Sequence, residues 1–169
     1  MKLRKLEYND ISYMLEWMHD SNVTEFMGRE FSQIDEEKAK DFIDNSLNEK
    51  SVNYAIVDDT DEYMGTVSLK NIDNINKKAE YAICMRTKAM GKGLSRMATD
   101  EILKIAFDEL NLNKVYLYVS KDNIRANKFY QKYNFILEGE FKEDMFIKGE
   151  FKDINWYRIL KSEYKEGRN

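Results

Sequence analysis

The chain has 169 residues, 43% hydrophobic and 13% aromatic, which suits one globular domain (1–169) with a full-sized core. A formal net charge of -4, from 27 basic and 31 acidic side chains, argues against a general nucleic-acid binder. The single cysteine, Cys84, cannot form an internal disulfide, and no apolar run approaches the roughly 18 residues of a membrane-spanning helix. With no apolar segment behind Met1–Lys5 to make a signal peptide, the expectation is a cytoplasmic protein with no membrane partner.

Read in chain order, Leu3–Leu6 is a short strand. Asn9–Met18 is a helix, capped by Asn9 or Asp10, with Ile11, Met14, Leu15 and Met18 on one face. Asp20–Ile34 lacks a clean period and reads as a loop or broken helix. Asp35–Leu47 reads as a second helix with Ala39, Phe42, Ile43 and Leu47 inward. Val52–Asp58 and Tyr63–Lys70 are strands around an Asp58–Asp61 turn, and Lys77–Met85 is another after the turn Asp73–Asn76. A glycine-containing loop then leads into a helix, with Leu94, Met97, Ala98, Ile102, Ile105 and Ala106 three and four apart. Asn113–Val119 is a strand, Asn123–Tyr133 a helix capped by Asp122 or Ser120, and Ile136–Glu143 and Lys152–Leu160 the last strands. Phe146–Gly149 is placed in the loop between them. A central antiparallel sheet with helices packed on it is an α+β arrangement.

The loop carries the chemistry. A strand runs into Met90-Gly91-Lys92-Gly93-Leu94-Ser95, and a helix leaves it. Glycine lets backbone approach a ligand without a Cβ in the way. The orphan N–H groups at the helix start, with its dipole, favour an anion. Lys88, Lys92 and Arg96 add positive charge. The segment lacks the Gly-Lys-Ser/Thr ending of a P-loop and the three glycines of a dinucleotide fingerprint, yet has the features of a phosphate site.

This loop resembles the acetyl-CoA pyrophosphate loop of the GNAT superfamily of N-acetyltransferases, whose pattern is Gln/Arg-x-x-Gly-x-Gly/Ala. In the register Met90–Ser95, Gly93 matches while Met90 and Ser95 depart. The shifted register Lys88–Gly93 fits the letters better but places the helix start less well. A second segment resembles the family more closely. Asn123, Ala126, Tyr130, Lys132, Phe135, Glu138 and Gly139 match Asn-x-x-Ala-x-x-x-Tyr-x-Lys-x-Gly-Phe followed by Glu-Gly. Asn134 stands where the family has Gly, and Asn tolerates a left-handed helix end. The resemblance runs from Leu3 to about Leu160. It implies an α+β fold with a mostly antiparallel, mixed, twisted sheet of about seven strands flanked by about four helices.

The resemblance also implies direct acetyl transfer from acetyl-CoA to a primary amine. Backbone N–H groups near Cys84 and Met85 would polarise the thioester, and Met90, Gly91, Lys92, Gly93, Leu94, Ser95 and Arg96 would hold the phosphates. Asn123 would contact pantetheine, Tyr130 would be the general acid, and Glu80 would orient or deprotonate the amine. Trp17, Asp20 and Glu80 would shape the acceptor side. Each has a plainer reading: Tyr130 as a core aromatic, Glu80 as a solvated strand residue, Asn123 as a helix-start residue. Cys84 lacks a histidine partner for nucleophilic work, and one histidine, His19, with one cysteine cannot build the usual zinc shell, so no metal is expected. The expected acceptor is a small amine such as an amino sugar or polyamine. A protein N-terminal amine, a non-catalytic CoA-binding module and an oligomer-forming structural protein are the alternatives, and a homodimer is compatible with all of them.

Overall fold

In a computed structural model, which describes residues 1–166, one sheet of eight strands runs through the chain. The strands are β1 (Lys2–Lys5), β2 (Leu47–Asn48), β3 (Ser51–Val57), β4 (Tyr63–Asp73), β5 (Lys78–Met85), β6 (Lys114–Ser120), β7 (Ile136–Ile147) and β8 (Glu150–Leu160). Their order is β1-β3-β4-β5-β6-β8-β7, with β2 pairing β3 off this path. Only β5 and β6 are parallel; every other pair is antiparallel. The helices are α1 (Ile11–Met18), α2 (Ser21–Thr24), α3 (Glu36–Asp44), α4 (Leu94–Lys104), α5 (Ile124–Lys132) and α6 (Lys161–Glu166), and α4 runs on through a π-helical turn, Ile105–Glu109. This is the α+β arrangement expected, with more helices than the four foreseen.

Two cores lie on opposite faces of the sheet. On one, Leu94, Ala98 and Ile102 of α4 and Tyr130 of α5 pack with Val67, Leu69, Tyr81, Val115 and Leu117. On the other, Met14, Trp17 and Met18 of α1 pack with Ile43 of α3 and with Ala55, Val57 and Tyr63. Period-two alternation along β5 sorts its side chains between them. Ala79 and Tyr81 belong to the first core and Ile83 and Met85 pack against it, while Cys84 packs against the second.

Three boundaries differ from the sequence reading. Helix α3 stops at Asp44, because the Ser46 carbonyl accepts both the backbone N–H of Asn53 at 2.8 Å and its side-chain amide at 2.9 Å. The chain is thereby pulled into β2, so Leu47 is a strand residue, and Phe42 is 37% exposed rather than inward. Phe146 and Ile147 belong to β7, not to a loop. Lys148 (φ 47°) and Gly149 (φ 88°) make a two-residue turn, left-handed at both positions, as tight hairpins require. Asn123 itself, not Asp122 or Ser120, caps α5, its Oδ1 accepting the Ala126 N–H at 3.1 Å. Asn134 does adopt the left-handed conformation, φ 63°, at the end of α5.

The first helix is anchored by charge. Asp10 is 2% exposed and takes both Arg4 guanidinium nitrogens at 2.8 Å, one on each oxygen, and the Glu7 N–H at 2.9 Å. Removing one partner of such a pair strands the other. Asp10→Ala should therefore lower the free energy of unfolding by about 3 kcal/mol, read from denaturant titration with an unchanged slope. A loss below about 1 kcal/mol would show that Arg4 is solvated rather than structurally required.

Candidate active site

The site begins where two parallel strands part. β5 and β6 pair only at Lys78↔Lys114, Ala79↔Val115 and Glu80↔Tyr116, although β5 continues to Met85 and β6 to Ser120. Beyond that point each strand keeps only its outer neighbour, β4 for β5 and β8 for β6. The direction of the free β5 groups follows from alternation. The Arg86 N–H is given to the Met64 carbonyl at 2.9 Å, and the Cys84 carbonyl lies where a Cβ on Gly65 would meet it at 2.3 Å. Both residues thus turn their backbone toward β4, and Ile83 and Met85 turn theirs toward the gap. Of the two residues named from the sequence, Met85 faces the gap and Cys84 does not; Ile83 is the other gap-facing residue. Gly65 was not foreseen, although a glycine inside a strand signals close backbone approach.

At the far end of β5 the chain turns through Thr87–Ala89 into the glycine loop. Gly91 has φ 78° and Gly93 φ 75°, and a Cβ built on either would meet nothing within 4 Å. The loop is therefore an open cradle. Gly93 caps α4 without any side-chain hydrogen bond, and its carbonyl accepts the N–H groups of Arg96 at 3.1 Å and Met97 at 3.2 Å. The Leu94 and Ser95 N–H groups precede any intrahelical acceptor and point out of the helix start. The Leu94 side chain is buried beneath, fixing the turn. Lys92 and Arg96 are exposed beside it. Lys88 is not available in the way its sequence position implies, for its ammonium pairs with Glu62 at 2.9 Å. Arg125 joins the loop instead, its guanidinium 2.7 Å from the Met90 sulfur. No local motif marked Arg125, because only the docking of α5 brings it there.

Tyr130 projects from α5 into the core between Tyr81 and Tyr157, with ring centroids 6.1 Å and 6.0 Å away. Burial raises its phenol well above the ordinary tyrosine range, with Cys84 adding a smaller push. Burial also pushes the Cys84 thiol up to about 11, which leaves it a poor nucleophile at neutral pH. Asn123 spends its side-chain oxygen on capping. Asn127, unforeseen, ties the gap's far wall together: its amide donates to the Ser120 carbonyl at 2.9 Å, and its oxygen accepts from Asn155 at 2.8 Å and Tyr157 at 3.0 Å.

Glu80 stands at the last paired position before the gap and is 6% exposed. It is not the solvated strand residue of the plainer reading. Lys70 Nζ lies 2.7 Å from one oxygen, and the Asn71 amide donates to the other at 2.8 Å. Its charge raises the Tyr116 and Tyr118 phenols after burial has done most of the work. The residues expected on the acceptor side are more structural. Trp17 is 4% exposed, and its indole N–H donates to the Tyr63 hydroxyl at 3.0 Å. Asp20 caps α2 through the Asn22 N–H at 2.9 Å and accepts the Thr87 hydroxyl at 3.0 Å, bonds that hold its carboxyl below the usual range. Between the segment after α2 and the β7–β8 turn lies a cavity of about 250 Å³, lined by Glu25, Phe26, Ser120, Ile147, Lys148, Glu150 and Lys152. Among the described residues, no group of three or more His, Cys, Asp or Glu is placed to hold a metal ion, and no helix is long and apolar enough to cross a membrane.

Residues 1–136 match the family model described as "Acetyltransferase (GNAT) domain". The spermidine N(1)-acetyltransferase of Vibrio cholerae is 29% identical over 168 residues, 97% of this chain and 95% of that protein. The acetyltransferase PseH of Campylobacter jejuni is 27% identical over 139 residues, 82% of this chain and 85% of that protein. The crystal structure of the Vibrio cholerae spermidine N-acetyltransferase in complex with CoA and spermine superposes with a TM-score of 0.89, at 27% identity and 97% coverage of each chain.

The loop geometry makes a direct prediction. Gly93→Ala should leave a folded protein, with the left-handed backbone costing about 1–2 kcal/mol, but should weaken CoA binding ~10-fold or more by calorimetry, because the added methyl stands in the open cradle. Wild-type affinity in the folded variant would remove the phosphates from this loop.

The parted strands, the glycine cradle at the start of α4 and the family match over most of its length together establish that this chain belongs to the GNAT acetyltransferases and is an N-acetyltransferase of that type.

Proposed function

We propose that the protein transfers the acetyl group of acetyl-CoA directly to a primary amine of a small cationic molecule, with a linear polyamine such as spermidine as the leading acceptor. The observation that carries the reading is the gap itself. The free edge of β5 runs from a carboxylate at its last paired position to an uncapped helix start beyond its far end, and a buried tyrosine packs on Tyr81 of the same strand. The open cradle at Gly91 and Gly93 fits a pyrophosphate on the N–H groups of Leu94 and Ser95. The Ile83 and Met85 backbone groups fit the amides of a pantetheine arm and a carbonyl oxygen that gains negative charge.

In this reading Glu80 receives the acceptor's ammonium and takes its proton, directly or through water. An aliphatic amine is mostly protonated at neutral pH and attacks only when neutral. The amine nitrogen bonds to the acyl carbon, the carbon–sulfur bond breaks, Tyr130 gives its proton to the departing sulfur, and the excess proton on nitrogen passes to the Tyr130 phenolate so formed. Burial keeps the Tyr130 phenol protonated to higher pH than an exposed tyrosine, so it stays a competent acid through the alkaline range in which the amine loses its proton. Two features favour a cationic acceptor. Glu80 is a buried anion, and beside it Trp156 stacks on Tyr116 at 5.6 Å and packs on Tyr118 at 5.3 Å, giving π-faces for an alkylammonium. The likeness to spermidine acetyltransferases points the same way.

Thiol release from acetyl-CoA, measured against spermidine, spermine, amino sugars and peptides with free N-termini, tests the assignment. Spermidine and spermine should be the best substrates. Tyr130→Phe should keep CoA affinity while kcat falls ~10²-fold, and Glu80→Gln should lower kcat/KM by a similar factor. Turnover of peptides alone would move the acceptor to a protein N-terminus. An unchanged rate in Tyr130→Phe at all pH values would return Tyr130 to packing.

A further inference from the structure

The two carboxylic side chains most fully buried among the described residues are held in different ways. Asp10 is gripped by a guanidinium whose own side chain is 15% exposed, with one nitrogen on each oxygen. Glu80, 8% exposed at its side chain, is met by the ammonium of Lys70, whose side chain is 42% exposed. The other oxygen of Glu80 is held more firmly. Asn71 donates to it from a left-handed backbone, φ 50°, in the bulge that interrupts the β4–β5 register between Lys70 and Asp73. Bulges and left-handed non-glycine residues are devices that re-aim a side chain. The amide partner is therefore built in, while the ammonium partner reaches in from solvent on a flexible four-carbon stem.

An ammonium on an unbranched alkyl stem is chemically the end group of a linear polyamine. We propose that Lys70 is an internal competitor for the acceptor's ammonium at Glu80, and that it sets how tightly the site binds cationic amines. This rests on the reading that Glu80 receives the amine. A cationic acceptor exchanges for Lys70 on Glu80, so the carboxylate is never left buried and unpaired, a condition that would be costly. The displaced ammonium already lies half in water and leaves easily. The competition weakens binding of every alkylammonium at this point and falls less on an acceptor recognised through hydroxyl groups.

The test is spermidine binding by calorimetry, with CoA present, to the wild type and to Lys70→Met and Lys70→Arg. Lys70→Met keeps the stem and removes the charge, and should tighten spermidine binding about two- to fivefold, the range that a partly exposed ion pair is worth. Lys70→Arg should weaken it, because a guanidinium can hold the carboxylate with two nitrogens. In a Glu80→Gln background the gain from Lys70→Met should vanish. Binding to Lys70→Met that is no tighter than to the wild type overturns the proposal, as does a gain that persists without Glu80. Tighter binding to Lys70→Met in a protein that transfers no acetyl group to spermidine would uphold the competition and overturn the proposed function instead.

Discussion

The separation of β5 from β6 after Glu80 and Tyr116 is the constraint on which the rest of the molecule depends. Two parallel strands that stop pairing leave a row of backbone donors and acceptors without partners, and such groups are costly when kept from water. The fold sustains this because each half of the sheet is complete without the other. β5 stays in register with β4 as far as Met85, where Gly65 allows close approach. β6 stays in register with β8 as far as Ser120, where Asn127 pins α5 across both strands. Helix α4 packs on the first half through β4 and β1, and α5 on the second. The opening is therefore held from both sides by continuous strand registers.

Charge then fixes the ends of the opening. Arg86, 5% exposed, follows directly on β5 and holds Glu16 of α1 and Glu62 at the start of β4, at 2.6 and 2.7 Å, while its guanidinium lies 4.4 Å from the centre of the Tyr13 ring. One side chain thus ties the entrance of the glycine loop to α1 and to the β3–β4 hairpin. Asp20 adds a second tie from α2 through Thr87. These residues use their charge on one another. That is why Asp20, expected on the acceptor side, is less available to a ligand than its sequence position implies, and why Lys88 is taken by Glu62.

Much of this was legible in the sequence, for a physical reason in each case. Periodicity of two and of three to four exposed the strands and the long helices, since one face of each must be buried. The strand–glycine–helix order exposed the glycine cradle, and Asn134 betrayed its left-handed turn because few residues other than glycine tolerate one. What stayed hidden depends on distant partners. Ser46 gives up its carbonyl to Asn53 and ends α3 early, and the Lys148–Gly149 pair closes a two-residue turn that composition alone presented as a loop. Gly65, Arg86, Asn127 and Arg125 have roles that exist only once strands and helices are assembled. Trp17, open in the sequence between acceptor side and core, is buried and donates its indole N–H to Tyr63.

Under the proposed function the site divides its labour, and the division explains why the donor half is easier to read than the acceptor half. The thioester side is built from main chain: the free edge of β5, the N–H groups at the start of α4, and glycines whose backbone angles leave a signature in the sequence. The acceptor side is built from side chains on separate strands. Glu80 comes from β5, Lys70 and Asn71 from β4, Tyr118 from β6 and Trp156 from β8, so the sheet must assemble before they meet. A backbone site tolerates wide sequence change as long as the fold persists. A side-chain site is remade by one or two substitutions. With Glu80 as the proposed receiver of the amine, the charge that faces its carboxylate is the term that would separate a cationic acceptor from a neutral one.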